Sequence, residues 1–195
     1  LGIATAIMCA ITVFCTGMIY ASLVTIPQWH HRLTVPVYLA FALATGVAVL
    51  TAIATFFDRF QVFQVILAVL LLFLVMVLKF FYWRSIDAAP ARFTTGDATG
   101  LGKDVRQWEL PHTNVNYIQK EMGYVVARRH ADKLRRLVLL MLVAAIAAAV
   151  LSYLITPWFS LVLAAASIVA AVVERWLFFA EAKHVVNLYY GSTAT

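Results

Sequence analysis

Apolar residues run through this chain in five long blocks nearly free of charge, separated by short connectors and one long polar loop. Blocks of this length match the hydrocarbon thickness of a bilayer, where backbone polar groups must be satisfied within the segment. Each block therefore predicts a transmembrane helix. The expected spans are residues 2–26, 36–57, 62–78, 137–155 and 158–180, with the loop over 79–136. Pro27 stops the first span, and Pro36 suits the start of the second because it has no N–H to leave unpaired. Asp58 and Arg59 form a tight hairpin into the third, which exits through Lys79-Phe-Phe-Tyr-Trp83, an aromatic belt of the kind found at membrane interfaces. Thr156-Pro157 turns the fourth span into the fifth. The fifth stays helix-compatible to Tyr190, longer than the hydrocarbon requires, so its last turns should emerge into water or partner protein.

The expected fold is all-α: a polytopic transmembrane bundle forming a single membrane domain. Within the loop, Pro90, Gly96, Gly100 and Gly102 predict irregular chain. Ile118, Met122 and Val125 recur at helical spacing and predict an interfacial helix over Tyr117–Arg136. Composition agrees with the class, with 64% hydrophobic residues and a mean hydropathy of +0.89. No basic n-region precedes the first apolar block, which argues against a secretory signal peptide. The chain opens inside an apolar segment, and upstream sequence is expected.

Charge sets the orientation. Eleven of the fifteen Lys and Arg lie between Lys79 and Arg136. Alternating the spans puts the connector 27–35, the long loop and the C-terminal tail on one face, with thirteen Lys and Arg against Arg59 alone on the other. The positive-inside rule places that face in the cytoplasm. The same charge suits lipid head groups or an acidic partner. Nucleic acid is excluded as a partner, since no nucleic-acid-binding motif accompanies the basic residues.

Candidate chemistry is sparse. Cys9 and Cys15 lie six apart without a CxxC, which argues against zinc or iron–sulfur ligation and for small packing residues in a membrane helix. Every His lies in a connector or the emerging tail, so no span offers an axial ligand for haem. Residues 98–102 lack the Lys-Ser/Thr of a phosphate loop. Glu174-Arg175 is an ionisable pair within the fifth span, where charge is costly and by default faces the bundle interior. With Glu181 and His184 it makes either a polar track towards the basic face or a structural ion pair. Trp29, His30 and Arg32 end the first span above Tyr20, as interfacial anchors or as donors to a quinone head group.

Three segments carry a family resemblance. They are Gly17-Met-Ile-Tyr-Ala-Ser-Leu23 followed by Ile26-Pro-Gln-Trp-His30; Leu110-Pro-His-Thr113 to Lys120-Glu-Met-Gly123 and Ala127–Leu134; and Glu174-Arg-Trp-Leu-Phe-Phe-Ala-Glu181 continuing to Gly191. Together they resemble the membrane anchor subunit of the dimethyl sulfoxide reductase type, over nearly the whole chain. The resemblance implies an eight-helix anchor of which this chain matches the last five helices. It also implies an iron–sulfur subunit and a molybdopterin catalytic subunit as partners, and exchange of electrons with menaquinone or ubiquinone. The family's N-terminal part contributes His and acidic residues implicated in the quinol site.

On that basis the chain holds no catalytic centre, metal, haem, iron–sulfur cluster or molybdenum of its own. Tyr20, Trp29, His30, Arg32, Glu181 and His184 are the expected quinone-binding residues. Glu174 and Arg175 form the intramembrane pair, and Arg128, Arg129, Lys133, Arg135 and Arg136 are the expected docking residues. A cytoplasmic face fits a similar anchor that serves sulfite-oxidising complexes. A small-solute transporter and a purely structural anchor are the competing classes; no helix broken by a Gly/Pro pair and no inverted repeat favours the former.

Overall fold

The computed structural model describes residues 1–90, 92–102, 105, 108–109, 114 and 130–190. The described chain is all-α, with five helices long and apolar enough to cross a membrane. These are α1 (Gly2–Ala21), α2 (Thr34–Phe56), α3 (Val62–Ala88), α5 (Ala131–Leu154) and α6 (Phe159–Ala180). A short α4 (Thr95–Thr99) lies in the loop, and a 3-10 turn over Val185–Tyr190 ends the described chain.

Small residues let the helices approach closely. Ala40, Ala44 and Ala48 make a buried ladder at four-residue spacing on α2, which meets α1, α3 and α6. Ala145 and Ala149 on α5, with Ala166 and Ala170 on α6, line the same core. Gly17 is the one buried residue of α1; a Cβ there would meet the Val35 backbone at 3.4 Å. Cys9 and Cys15, expected as packing residues, are exposed, because the rest of α1 leaves its sides uncovered. Helix hydroxyls return their hydrogen to the preceding turn, as Thr45 does to the Phe41 carbonyl and Thr51 to that of Val47, both at 2.7 Å. At the hairpin end Asp58 takes a positive φ of 55° to close α2 into α3, and Thr55 meets Ser160 at 2.8 Å.

Helix ends differ from the apolar blocks in four places. α1 stops at Ala21, five residues early, and residues 22–29 fold as successive turns that bring Ile26 and Trp29 into the core. α3 continues beyond Leu78 to Ala88, so Lys79 is a helix residue and not the start of the loop. α5 begins at Ala131, six residues before its apolar block. Thr95–Thr99 is helical where irregular chain was expected, because Thr94 and Asp97 cap each other reciprocally. Of the expected interfacial helix, residues 117–129 lie outside the described residues and residues 131–136 open α5.

Candidate functional site

The buried charged side chains of this apolar bundle gather at the end from which the long loop departs. Glu174 stands six residues, about 9 Å, inside the C-terminal end of α6. It is fully buried at 0% exposure, and Lys79 of α3 at 1%. Lys79 Nζ donates to Glu174 Oε1 at 2.7 Å, and Arg175 Nε donates to Oε2 at 2.6 Å. One carboxylate thus holds two cations. The surplus positive charge rests on ring faces: Lys79 Nζ lies 4.2 Å from the Tyr82 centroid and 4.5 Å from that of Trp83, and the Arg175 guanidinium 3.8 Å from that of Tyr38.

A second cluster closes the mouth above it. Arg135, in the first turns of α5, clamps Asp87 of α3 with Nη1 at 2.5 Å and Nη2 at 2.9 Å. Its Nε donates to Glu181 Oε1, just past α6, at 2.6 Å. One guanidinium therefore ties the ends of three helices, using the fork geometry that Lys lacks. Trp83 separates the clusters, with Arg135 5.5 Å and Lys79 4.5 Å from its ring. A cavity of about 380 Å³ opens beside the clamp, lined by Gln28, Asp87, Arg135, Glu181 and Lys183 among apolar residues.

The connector between α1 and α2 packs onto this mouth. Trp29 Nε1 donates to the Phe178 carbonyl at 3.0 Å, and Tyr82 Oη donates to that of Gln28 at 2.9 Å. Tyr20 sits edge-on to Trp29, Phe178 and Phe179 and stacks on Tyr38 at 5.8 Å. His31 Nδ1 accepts the Leu33 N–H, which leaves its Nε2–H to donate to Ser85 Oγ at 2.9 Å. Burial, with Arg32 adding repulsion, pushes the His31 imidazole below its ordinary pKa. His30 Nδ1 donates to the Ala21 carbonyl at 2.6 Å, and its ring lines a shallow surface pocket with Arg32 and Met18.

The expected quinone residues therefore fall in three places. Tyr20, Trp29 and His184 share the aromatic nest, with the Trp29 and His184 rings 5.4 Å apart. His30 and Arg32 face out together, and Glu181 belongs to the Arg135 clamp. Glu174 and Arg175 do pair, but as part of a triad. Of the expected docking residues, Lys133 and Arg136 are exposed, Arg135 is spent inside the chain, and Arg128 and Arg129 lie outside the described residues. Lys79, Asp87 and Gln28 were missed. Lys79 had a signal: a lone cation near the end of an apolar block, on the same face as the end of the span holding Glu174.

Fold and site together define a polytopic helical membrane protein whose ionised groups are buried at one end of the bundle. The chain is similar to a subunit of the sulfite dehydrogenase of Allochromatium vinosum, with 30% identity over 185 residues that cover 92% of this chain and 57% of that protein. It thus spans a little over half the length of the curated relative it matches. The similarity does not single out the dimethyl sulfoxide reductase anchors. No protein-family model and no solved structure matches the chain.

Proposed function

We propose that this chain is part of the membrane subunit of a sulfite-oxidising molybdenum oxidoreductase complex. It would hold an iron–sulfur subunit and a molybdopterin catalytic subunit at a bacterial inner membrane and pass their electrons to menaquinone or ubiquinone. The observation that carries this reading is the similarity to a sulfite dehydrogenase subunit across 92% of the chain. The charge count supports a cytoplasmic position for the loop face, which fits the sulfite-oxidising variant of the anchor better than a periplasm-facing reductase.

The geometry adds a division of labour. The Lys79–Glu174–Arg175 triad and the Arg135 clamp fix α3, α5 and α6 against one another at the loop end, where a partner would dock. Lys133 and Arg136 present exposed cations there, and Arg128 and Arg129 add to that basic stretch of sequence. Such an interface would cover on the order of 800 Å² per partner. Quinone, the exchangeable electron carrier, would enter beside this docking face.

Affinity purification of the tagged chain from native membranes tests the assignment. A molybdenum protein and an iron–sulfur protein should accompany it, and a Lys133→Glu, Arg136→Glu double variant should release both while leaving this chain in the membrane. Recovery of the wild-type chain with neither partner would refute the reading.

A further inference from the structure

Arg32, the one Lys or Arg of the connector between α1 and α2, is exposed and pairs with no carboxylate among the described residues. It borders a pocket of about 340 Å³ together with His30, Met18 and Val35. The His30 imidazole is held by its Nδ1–H bond to the Ala21 carbonyl at 2.6 Å, and its Nε2 has no partner among the described residues. His31 also borders the pocket, but its bonds to Leu33 and Ser85 use both ring nitrogens. The polar side of the pocket is therefore cationic, and an anion is the complementary ligand.

Towards the hydrocarbon the surface turns apolar. Ile11, Phe14 and Met18 are exposed and recur at helical spacing, so they make one stripe on α1. Val35, Ala42 and Gly46 fall on one face of α2 by the same spacing. α1 packs on α2 with Gly17 against Val35, so both stripes descend from the pocket. On α2 the side chains shrink with depth, and Gly46 has open space where a Cβ would stand. That leaves a lane between the helices wide enough at its foot for a hydrocarbon chain. A cationic pocket at the membrane edge above an apolar lane matches an amphiphile with an anionic head. Basic pockets between transmembrane helices on the cytoplasmic side hold such head groups.

We propose that the pocket between α1 and α2 binds an anionic phospholipid, its phosphodiester on Arg32 and His30 and one acyl chain along the lane towards Gly46. Arg32 offers its planar fork to two phosphate oxygens, and His30 as an imidazolium donates Nε2–H to the same group. The lipid supplies the counter-charge that Arg32 lacks and ties the connector to the bilayer edge. An uncharged quinone would leave that guanidinium unpaired. The inference needs only the place of the chain in a membrane and does not depend on the oxidoreductase reading.

The test is native mass spectrometry of the delipidated protein in detergent, titrated with phosphatidylglycerol and separately with phosphatidylcholine. The wild-type protein should prefer phosphatidylglycerol. Arg32→Gln should cut that preference by about tenfold or more, the scale of a lost hydrogen bond to a charged group. Arg84→Gln, which removes an exposed cation from the same face, should leave it intact. Equal binding of the two lipids by the wild type, or a preference that survives Arg32→Gln, would overturn the site. So would an equal loss in Arg84→Gln, which would mean diffuse charge, or displacement of the lipid by sn-glycerol 3-phosphate or decylubiquinone. Should Arg32→Gln not be recovered from membranes, a photoactivatable phosphatidylglycerol on the unaltered protein decides. Labelling at 18–21 or 30–35 supports the site, and labelling confined to other segments overturns it.

Discussion

Removing Glu174 should cost the protein more than removing Lys79, although the two form one ion pair. In Glu174→Gln, the Lys79 amine is left at 1% exposure with only the Tyr82 and Trp83 ring faces, 4.2 and 4.5 Å away, to replace its counter-ion. Those ring contacts are already made with the carboxylate in place, so they offset little of the about 3–5 kcal/mol that breaking a buried pair costs. In Lys79→Met the carboxylate keeps Arg175 at 2.6 Å, so the loss should stay near the about 1.5–3 kcal/mol of a charged hydrogen bond. The double variant removes the stranded lysine and should fall within about 1 kcal/mol of Lys79→Met, a coupling of about 3 kcal/mol between the sites. The assay is unfolding in detergent micelles followed by tryptophan fluorescence, or the half-life at fixed temperature where unfolding is irreversible. Equal losses in the single variants, with a double variant equal to their sum, would refute the triad.

Other consequences concern the connector, the α1 seam and orientation. Trp29→Phe removes the donor to the Phe178 carbonyl and should lower stability by about 0.5–1.5 kcal/mol in the same assay, with the aromatic packing otherwise retained. Gly17→Leu should force α1 off Val35 and Tyr38 at a cost of about 1–3 kcal/mol, seen as increased proteolysis between α1 and α2. His31 is held below its ordinary pKa, so the unfolded chain takes up the proton first. Its contribution is therefore intact above about pH 6.5 and is lost as pH falls towards the lowered value. His31→Gln should flatten a stability profile measured between about pH 7 and 5. A reporter fused after Tyr190 should give a cytoplasmic signal.

The spans were legible because bilayer thickness leaves its mark on composition, and the turn at Asp58 and Arg59 was legible for the same reason. What bilayer thickness bounds is the apolar part of a helix, not the helix. Nothing between Leu78 and Pro90 breaks α3, so it carried Lys79 inside and Asp87 to its last turn. Glu174 announced itself as a charge within an apolar run. Lys79 was visible as a cation ending an apolar block, but its pairing with Glu174 was not, because the two are 95 residues apart and meet only through the packing of non-adjacent helices. Arg135 looked like one more cation in a basic loop. Only the convergence of three helix ends shows that its charge is spent on Asp87 and Glu181, and that a cavity lies beside it.

The central claim, that this chain links sulfite oxidation to the quinone pool, is tested most directly by sulfite-driven reduction of decylubiquinone by the purified complex. The account predicts that the intact complex reduces the quinone. The same complex stripped of this chain should keep its sulfite-dependent reduction of a soluble dye and lose the quinone reaction. Quinone reduction that persists without the chain, or an intact complex that passes sulfite electrons to dye and never to quinone, would contradict it.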